Sequence, residues 1–288
     1  MESKICNICN GTEIHSKYLK HGISIMECKR CELCFVYPIP SVEKQKKYYD
    51  EHYQNGRYKT YQNAHELRMK LNEKRFEEIR KYNPEGNHLD IGCATGIFLD
   101  VAHKNGLTVY GTELSKEAVT NAKKHHKNIF NGIVEQANYP SEFFELVTIY
   151  DLIEHVLDPD QTFREVNRIM KKNGLVVITT PDLKSWHAKI LGRHFYQIDP
   201  FQHLFYFSPK SIRKIMEKNG FEIIEIKKNL KIFTLEEIFN MSATYYPLIN
   251  KILSKIIHIL PKKILKREKE FFFGEMFVVA KKNKNVEI

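Results

Sequence analysis

Five of the chain's six cysteines crowd its first 34 residues, and four of them have a spacing that can do metal chemistry. Cys6 and Cys9, then Cys28 and Cys31, read Cys-x2-Cys-x18-Cys-x2-Cys, inside the range of a four-thiolate zinc site. Each Cys-x2-Cys turn aims two sulfurs at one point, and two such turns complete a tetrahedron around Zn2+. The role would be structural, because four thiolates leave no open position for a substrate. Metal would also stabilise a segment too short to bury much core of its own. Zinc turns favour a residue tolerant of positive φ after the second cysteine. Asn10 and Glu32 stand there; Asn suits that conformation and Glu suits it poorly. Cys34 repeats the spacing from Cys31 and competes as a ligand. Buried thiols without metal are the alternative.

A second group lies in Asp90-Ile91-Gly92-Cys93-Ala94-Thr95-Gly96. Glycines at 92 and 96 let the backbone turn tightly and approach a ligand closely. The middle glycine of a G-x-G-x-x-G fingerprint is missing, and an acid stands two residues before Gly92. A carboxylate there suits a cationic ligand group better than a pyrophosphate. Glu113, in Tyr110-Gly111-Thr112-Glu113-Leu114, can accept hydrogen bonds from both ribose hydroxyls of an adenosine-type cofactor. A nicotinamide-binding domain, or a sheet whose glycine turn binds nothing, is the alternative at this point.

The surrounding elements must place these groups. Short β-like runs at 88–91, 108–112, 129–134, 146–150 and 175–180 alternate with helical stretches at 98–105, 116–127 and 161–172. That alternation argues for a parallel sheet covered on both faces. Ser208-Pro209 opens a further helix, which Gly220 closes. Strands at 221–226 and 271–281 follow. Upstream, Ala64, Leu67, Leu71, Phe76 and Ile79 recur at roughly helical spacing between Tyr61 and Tyr82. The spacing divides the chain into a zinc-binding module (1–40), a linker with a helical lid (41–83) and an α/β domain (84–288). Long insertions at 181–207 and 228–270 interrupt that domain, and such insertions are usually functional or separately structured.

Asp90–Gly96 with Glu113 resembles the class I S-adenosylmethionine-dependent methyltransferases. The likeness continues through Phe143–Asp151, Leu152-Ile153-Glu154-His155 with Asp158-Pro159, Gly174–Thr180 with Pro181-Asp182, and Gly220-Phe221. It covers roughly residues 60–227 and 271–281. It implies a Rossmann-like seven-stranded sheet with its last strand antiparallel. It also implies S-adenosylmethionine as cofactor, with Asp90, Gly92 and Gly96 at its methionine end and Glu113 on its ribose. Cys93, Ala94, Leu114, Tyr150 and Asp151 are the further cofactor-binding positions. The adenine partner stays open among Ile133, Val134 and Glu135.

The cysteine pattern followed by Tyr37-Pro38 and Tyr48-Tyr49 is similar to the zinc-binding module of certain sugar methyltransferases, including C-methyltransferases of deoxysugar biosynthesis. In those, a Tyr-x-Glu-His motif after the fifth strand supplies the proton-abstracting group. The matching stretch is Pro200-Phe201-Gln202-His203, where only the histidine is kept. Methylation of a sugar hydroxyl, nucleotide- or lipid-linked, is therefore expected. The sulfonium already activates the methyl group, so the protein mainly holds a nucleophile in line. A hydroxyl needs a proton acceptor, and the candidates are His203 and His155. Trp186, His187, His194 and Tyr196 are unranked candidates for the acceptor pocket.

The whole chain has 288 residues, 42% of them hydrophobic, and a net charge of +10, an ordinary globular composition. No apolar run reaches membrane-spanning length, and no apolar stretch follows Met-Glu-Ser-Lys. A cytoplasmic protein is expected. The positive charge admits nucleic acid as a partner, but no RNA-binding signature accompanies it, and Tyr150-Asp151-Leu152-Ile153 is not a base-methylating motif. Nucleic acid is thus disfavoured relative to a small-molecule or glycan acceptor. A non-catalytic scaffold is the alternative of another class. Between Lys251 and Glu270, seven Lys/Arg stand against two Glu, and apolar residues recur from Ile249 to Leu260 at helical spacing. That stretch, 249–270, is a candidate for peripheral contact with an anionic membrane, or for packing as a lid.

Overall fold

Consecutive apolar positions make strands that are covered on both faces, and this pattern builds the central sheet. The computed structural model describes residues 5–41, 65–257 and 259–286. The tyrosines at 48, 49, 53, 58 and 61, with most of the expected linker, lie outside the described residues. Strands β1 (Ile14–Lys20), β2 (Ile23–Cys28) and β3 (Cys34–Tyr37) come first, then helix α1 (His65–Arg80). The alternating part runs β4 (Asn87–Ile91), α2 (Ile97–Lys104), β5 (Thr108–Glu113), α3 (Lys116–Ala122), β6 (Ile129–Asn131), β7 (Phe144–Tyr150), α4 (Pro159–Ile169) and β8 (Met170–Pro181). After it come α5 (Trp186–Leu191), β9 (Phe205–Tyr206), α6 (Pro209–Lys218), β10 (Phe221–Phe233), α7 (Leu235–Tyr245), α8 (Pro247–Ile257), α9 (Lys262–Leu265) and β11 (Lys269–Lys282).

Seven strands form one sheet in the order β10-β11-β8-β7-β4-β5-β6. Neighbours from β8 to β6 are parallel, whereas β11 runs antiparallel to β8, with Met276 opposite Thr180 and Val278 opposite Ile178. The expected sheet with an antiparallel last strand is present. Three boundaries differ from the sequence reading. β6 stops at Asn131, because Gly132 breaks the strand and Val134–Gln136 coil into a 3-10 turn. α3 ends at Ala122 rather than near 127. α4 starts at Pro159, capped by the Asp158 carboxylate on the N–H groups of Asp160 and Gln161, and passes directly into β8 at Met170.

Both faces of the sheet are packed. Leu89, Ile91, Val147, Ile149, Val176 and Ile178 bury themselves with Phe163, Val166 and Ile215. On the other face Leu146, Val177 and Val279 meet Phe98 and Leu99 of α2 and Phe76 and Ile79 of α1. Removing one such aliphatic side chain typically costs about 2–5 kcal/mol. Salt bridges from Lys81, just after α1, to Glu225 and from Lys227 to Glu78 of α1 tie this part of the chain to β10.

A second sheet holds β1-β2-β3-β9. Its first three strands are an antiparallel meander. The fourth comes from the insertion after β8, with Cys34 opposite Tyr206 and Phe35 opposite Phe205. Leu204 O also accepts the N–H of Val36 at 2.9 Å.

Residues Asn229–Phe273 form a compact unit of their own, distinct from the unit of 1–228 and 274–288. It contains α7, α8, α9 and the outer ends of β10 and β11. Among the described residues, no helix is long and apolar enough to cross a membrane.

Candidate active site

The turn after β4 is built on left-handed residues. Gly92 has φ 77°, Ala94 has φ 47° and Gly96, which caps α2, has φ 86°. The left-handed φ favours glycine at 92, and a Cβ there would stand 2.9 Å from Leu152 Cδ2, so that side chain would have to shift. Ala94 takes the left-handed conformation without being glycine, at a cost of roughly 1–2 kcal/mol. The N–H groups of Gly92 and Cys93 donate to Thr112 O at 2.8 and 3.1 Å, which locks the turn against the end of β5. Glu113 then bridges: Oε2 accepts from Ala94 N at 3.1 Å, and Oε1 accepts from Ser115 N at 2.8 Å.

Beneath the turn, Asp90 is 4% exposed. Thr148 donates to its Oδ1 at 2.6 Å and faces His88 Nε2 at 2.8 Å. Burial pushes the Asp90 carboxyl up to about 7 and raises that of Glu113. Cys93 is buried, with its sulfur against Gly111. Leu114 is 61% exposed beside Glu113. After β6, Ile133 is exposed and Val134 is core, while Glu135 accepts from Thr162 Oγ1 at 2.6 Å.

Tyr150 ends β7 with its ring turned inward, edge-on to Phe98 at 4.8 Å. Arg75 of α1 lies over that ring at 4.5 Å and reaches Asp151 Oδ2 at 2.5 Å. Asp151, with φ 52°, also receives Thr179 Oγ1 at 2.9 Å. Arg75, Thr148 and Thr179 were not singled out from sequence. Arg75 sits among the charges of α1, where nothing local separates an inward arginine from a solvated one.

His155 and His203, distant in sequence, meet here. Their ring centroids are 4.6 Å apart at 79°. Each ring is anchored through Nδ1 on a backbone carbonyl: His155 on Gln202 O at 2.9 Å, and His203 on Gln197 O at 2.7 Å. Those contacts put the proton on Nδ1 and leave Nε2 as the basic nitrogen. Burial lowers the basicity of His155. Glu154 accepts from Thr180 Oγ1 at 2.9 Å, and burial pushes its carboxyl up to about 8. Its carbonyl takes the N–H groups of Leu204 and Phe205, so the loop after β7 holds the insertion that carries His203. One donor atom each from Glu154, His155 and His203 lies within 4.8 Å of the others, a set that could hold a divalent cation. Of the pocket candidates, Trp186 is 55% exposed and stacks on His187 at 3.5 Å. His194 lies beside Arg193, and Tyr196 packs edge-on to Phe195.

At the N-terminus, Cys6, Cys9, Cys28 and Cys31 are buried with their sulfurs within 4.8 Å of one another. The Cys6–Cys31 and Cys9–Cys28 sulfurs are 3.5 Å apart. A tetrahedron of Zn–S bonds of ~2.3 Å needs sulfurs ~3.8 Å apart, so the set fits the metal. Asn10 and Glu32 both take positive φ, 56° and 65°. Their N–H groups return to Cys6 O and Cys28 O at 2.9 and 2.8 Å, making two matching turns. Cys34 stands apart on β3, its sulfur toward Glu32 O, and burial pushes its thiol up to about 12.

Compared with known proteins, residues 58–226 match the family described as a methyltransferase domain. The chain belongs to this family. The chain is 29% identical over 154 residues to a ubiquinone biosynthesis O-methyltransferase of Pelagibacter ubique, a match covering 49% of this chain and 64% of that protein. To the protein of the same description from Coxiella burnetii it is 23% identical over 155 residues, covering 49% and 66%. The matched part thus spans just under two thirds of these relatives. Among solved structures, a SAM-dependent methyltransferase from Archaeoglobus fulgidus shares the fold with a TM-score of 0.52 at 22% identity, over 77% of this chain and 99% of that one. One from Thermotoga maritima does so with a TM-score of 0.52 at 19% identity, over 84% and 100%. The chain therefore has the class I methyltransferase fold that the sequence likeness implied.

Proposed function

We propose that this chain transfers the methyl group of S-adenosylmethionine to a hydroxyl oxygen of a small acceptor, a sugar being the favoured class. The meeting of His155 and His203, each with Nδ1 on a carbonyl, carries the reading. Two imidazoles in one place, each with Nε2 left as the basic nitrogen, are what a hydroxyl nucleophile needs and what an already acidic acceptor does not. Bound at the glycine turn, S-adenosylmethionine supplies an electrophilic methyl group whose sulfur leaves as a neutral thioether. Asp90 would face the cationic end, Glu113 would accept from the ribose, and the exposed Leu114 and Ile133 would offer apolar surface to the adenine. His203 takes the hydroxyl proton as the C–O bond forms, with His155 as its neighbour or substitute. The relatives named as O-methyltransferases support oxygen over carbon. The four-cysteine group fits a structural zinc ion, and its likeness to the module of sugar methyltransferases supports the sugar class.

The test is methyl transfer to a panel of nucleotide sugars, lipid-linked glycans, catechol-type phenols and RNA. A sugar product methylated on oxygen is expected, and His203→Ala should lower kcat roughly 10²-fold or more with cofactor affinity intact. Normal turnover by both His203→Ala and His155→Ala would exclude a histidine base. The Glu154–His155–His203 donor set favours a second reading, in which a divalent cation ionises the acceptor hydroxyl. Manganese bound by the wild type and lost in His203→Ala, read by electron paramagnetic resonance, would select it.

A further inference from the structure

Helix α8 is mounted with its apolar side outward. Leu248, Ile249, Ile252 and Leu253 fall on one face at helical spacing, and they are 80%, 47%, 64% and 37% exposed. The polar Asn250 instead faces the rest of its unit, donating from Nδ2 to Phe239 O and to Ser242 Oγ, both at 3.0 Å. These bonds to α7 fix the rotation of the helix. Water-soluble packing puts the apolar side inward, and here it is reversed. The exposed apolar surface continues past the helix in Ile259, 79% exposed, and Ile264, 46% exposed.

The charge beside this face is predominantly positive, seven Lys/Arg against two Glu between Lys251 and Glu270. Lys251 and Lys255 flank it on α8, and Lys262, Lys263, Lys266 and Arg267 follow on and after α9; all six are exposed. We propose that the Asn229–Phe273 unit docks on an anionic lipid surface, with α8 lying in the interface. An exposed apolar stripe edged by lysines matches the acyl boundary and the headgroup layer respectively. At eleven residues, α8 is far too short to span a bilayer, so the contact is with one leaflet. A second copy would bring the same positive edge to the same face, which disfavours self-association there. The inference stands apart from the methyl-transfer reading and uses none of its residues.

The full-length chain should co-sediment with vesicles of phosphatidylglycerol and phosphatidylcholine, roughly tenfold or more tightly than with phosphatidylcholine alone. Leu248→Asp with Ile252→Asp should reduce that binding by a similar factor, with S-adenosylmethionine affinity unchanged as the check on folding. Neutralising Lys262, Lys263, Lys266 and Arg267 to Gln should remove the anionic preference without touching the helix. The proposal is overturned if anionic vesicles are not bound, if neutral vesicles bind equally, or if both variants bind as the wild type does. It is also overturned if the Asp variant acts by converting a dimer to a monomer in sedimentation velocity.

Discussion

A carboxylate under a glycine turn is costly when alone and useful when a cation arrives. Burial holds the unliganded Asp90 carboxyl up near about 7 rather than at the ordinary 3.8. A raised carboxyl favours the fold below the unfolded value and loses that contribution as pH climbs through about 7. On the proposed binding mode, cofactor affinity has the opposite sign, because the cationic end of S-adenosylmethionine would prefer ionised Asp90. Binding should therefore release a proton below about pH 7, and affinity should rise from pH 5.5 toward 7.5 and then level. Calorimetry in two buffers of different ionisation enthalpy measures this; proton release that persists unchanged in Asp90→Asn would assign it elsewhere. Asp90, Gly92, Gly96 and Glu113 could be picked out in the sequence as a glycine turn and a following acid, and the structure brings that turn against the end of β5. Arg75 could not. It reaches Asp151 from 76 residues upstream, and only the folded chain brings the two together. His155 and His203 were each visible as strand-end residues, but their mutual contact is not written in either neighbourhood.

Among the elements, the two-residue β9 links the cysteine module to the segment that carries His203. β9 begins two residues after His203 and pairs with β3, so disorder in the module should reach the proposed base before it reaches the glycine turn. Cys6→Ser with Cys28→Ser is expected to lose bound zinc and lower kcat roughly tenfold or more, since small misplacements of reacting groups are expensive. S-adenosylmethionine affinity should stay within about twofold. Metal analysis, steady-state kinetics and calorimetry on one preparation separate these effects, and unchanged kcat without zinc would dismiss the linkage. The central strands were legible as apolar runs alternating with helices, and α6 was legible from its Ser208-Pro209 start. β9 had no such signal. Phe205-Tyr206 is too short for a period, and its partner lies far back in the chain. The reversed face of α8 was equally hidden, because a periodic apolar stripe states which residues share a side and not which way that side points.

At the scale of the whole molecule, charge is unevenly spread. The segment 251–270 holds a balance of +5 against +10 for the entire chain, so half the net charge sits on a small fraction of its length. Exposed charges are screened within ~3–10 Å as salt rises from ~0.1 to ~1 M, whereas Asp90 and Glu113 are enclosed. Raising salt from about 0.05 to 0.5 M should strip the protein from anionic vesicles by roughly tenfold or more. Affinity for S-adenosylmethionine should change little by comparison. Parallel sedimentation and calorimetry across the salt series would reveal any common dependence, which would mean the charge acts on the cofactor site instead. The pairing of β3 with β9 also sets a timetable for synthesis. Cys34 and Tyr206 are partners separated by about 170 residues, and at ~5–20 residues per second the ribosome needs roughly ten to thirty seconds to deliver the second after the first. Throughout that interval β3 is a bare edge, open to wrong strands from neighbouring nascent chains. The four thiols all emerge before the wait begins, so a metal clamp closing on them would let the module form early and hold its edge in register until its own strand arrives.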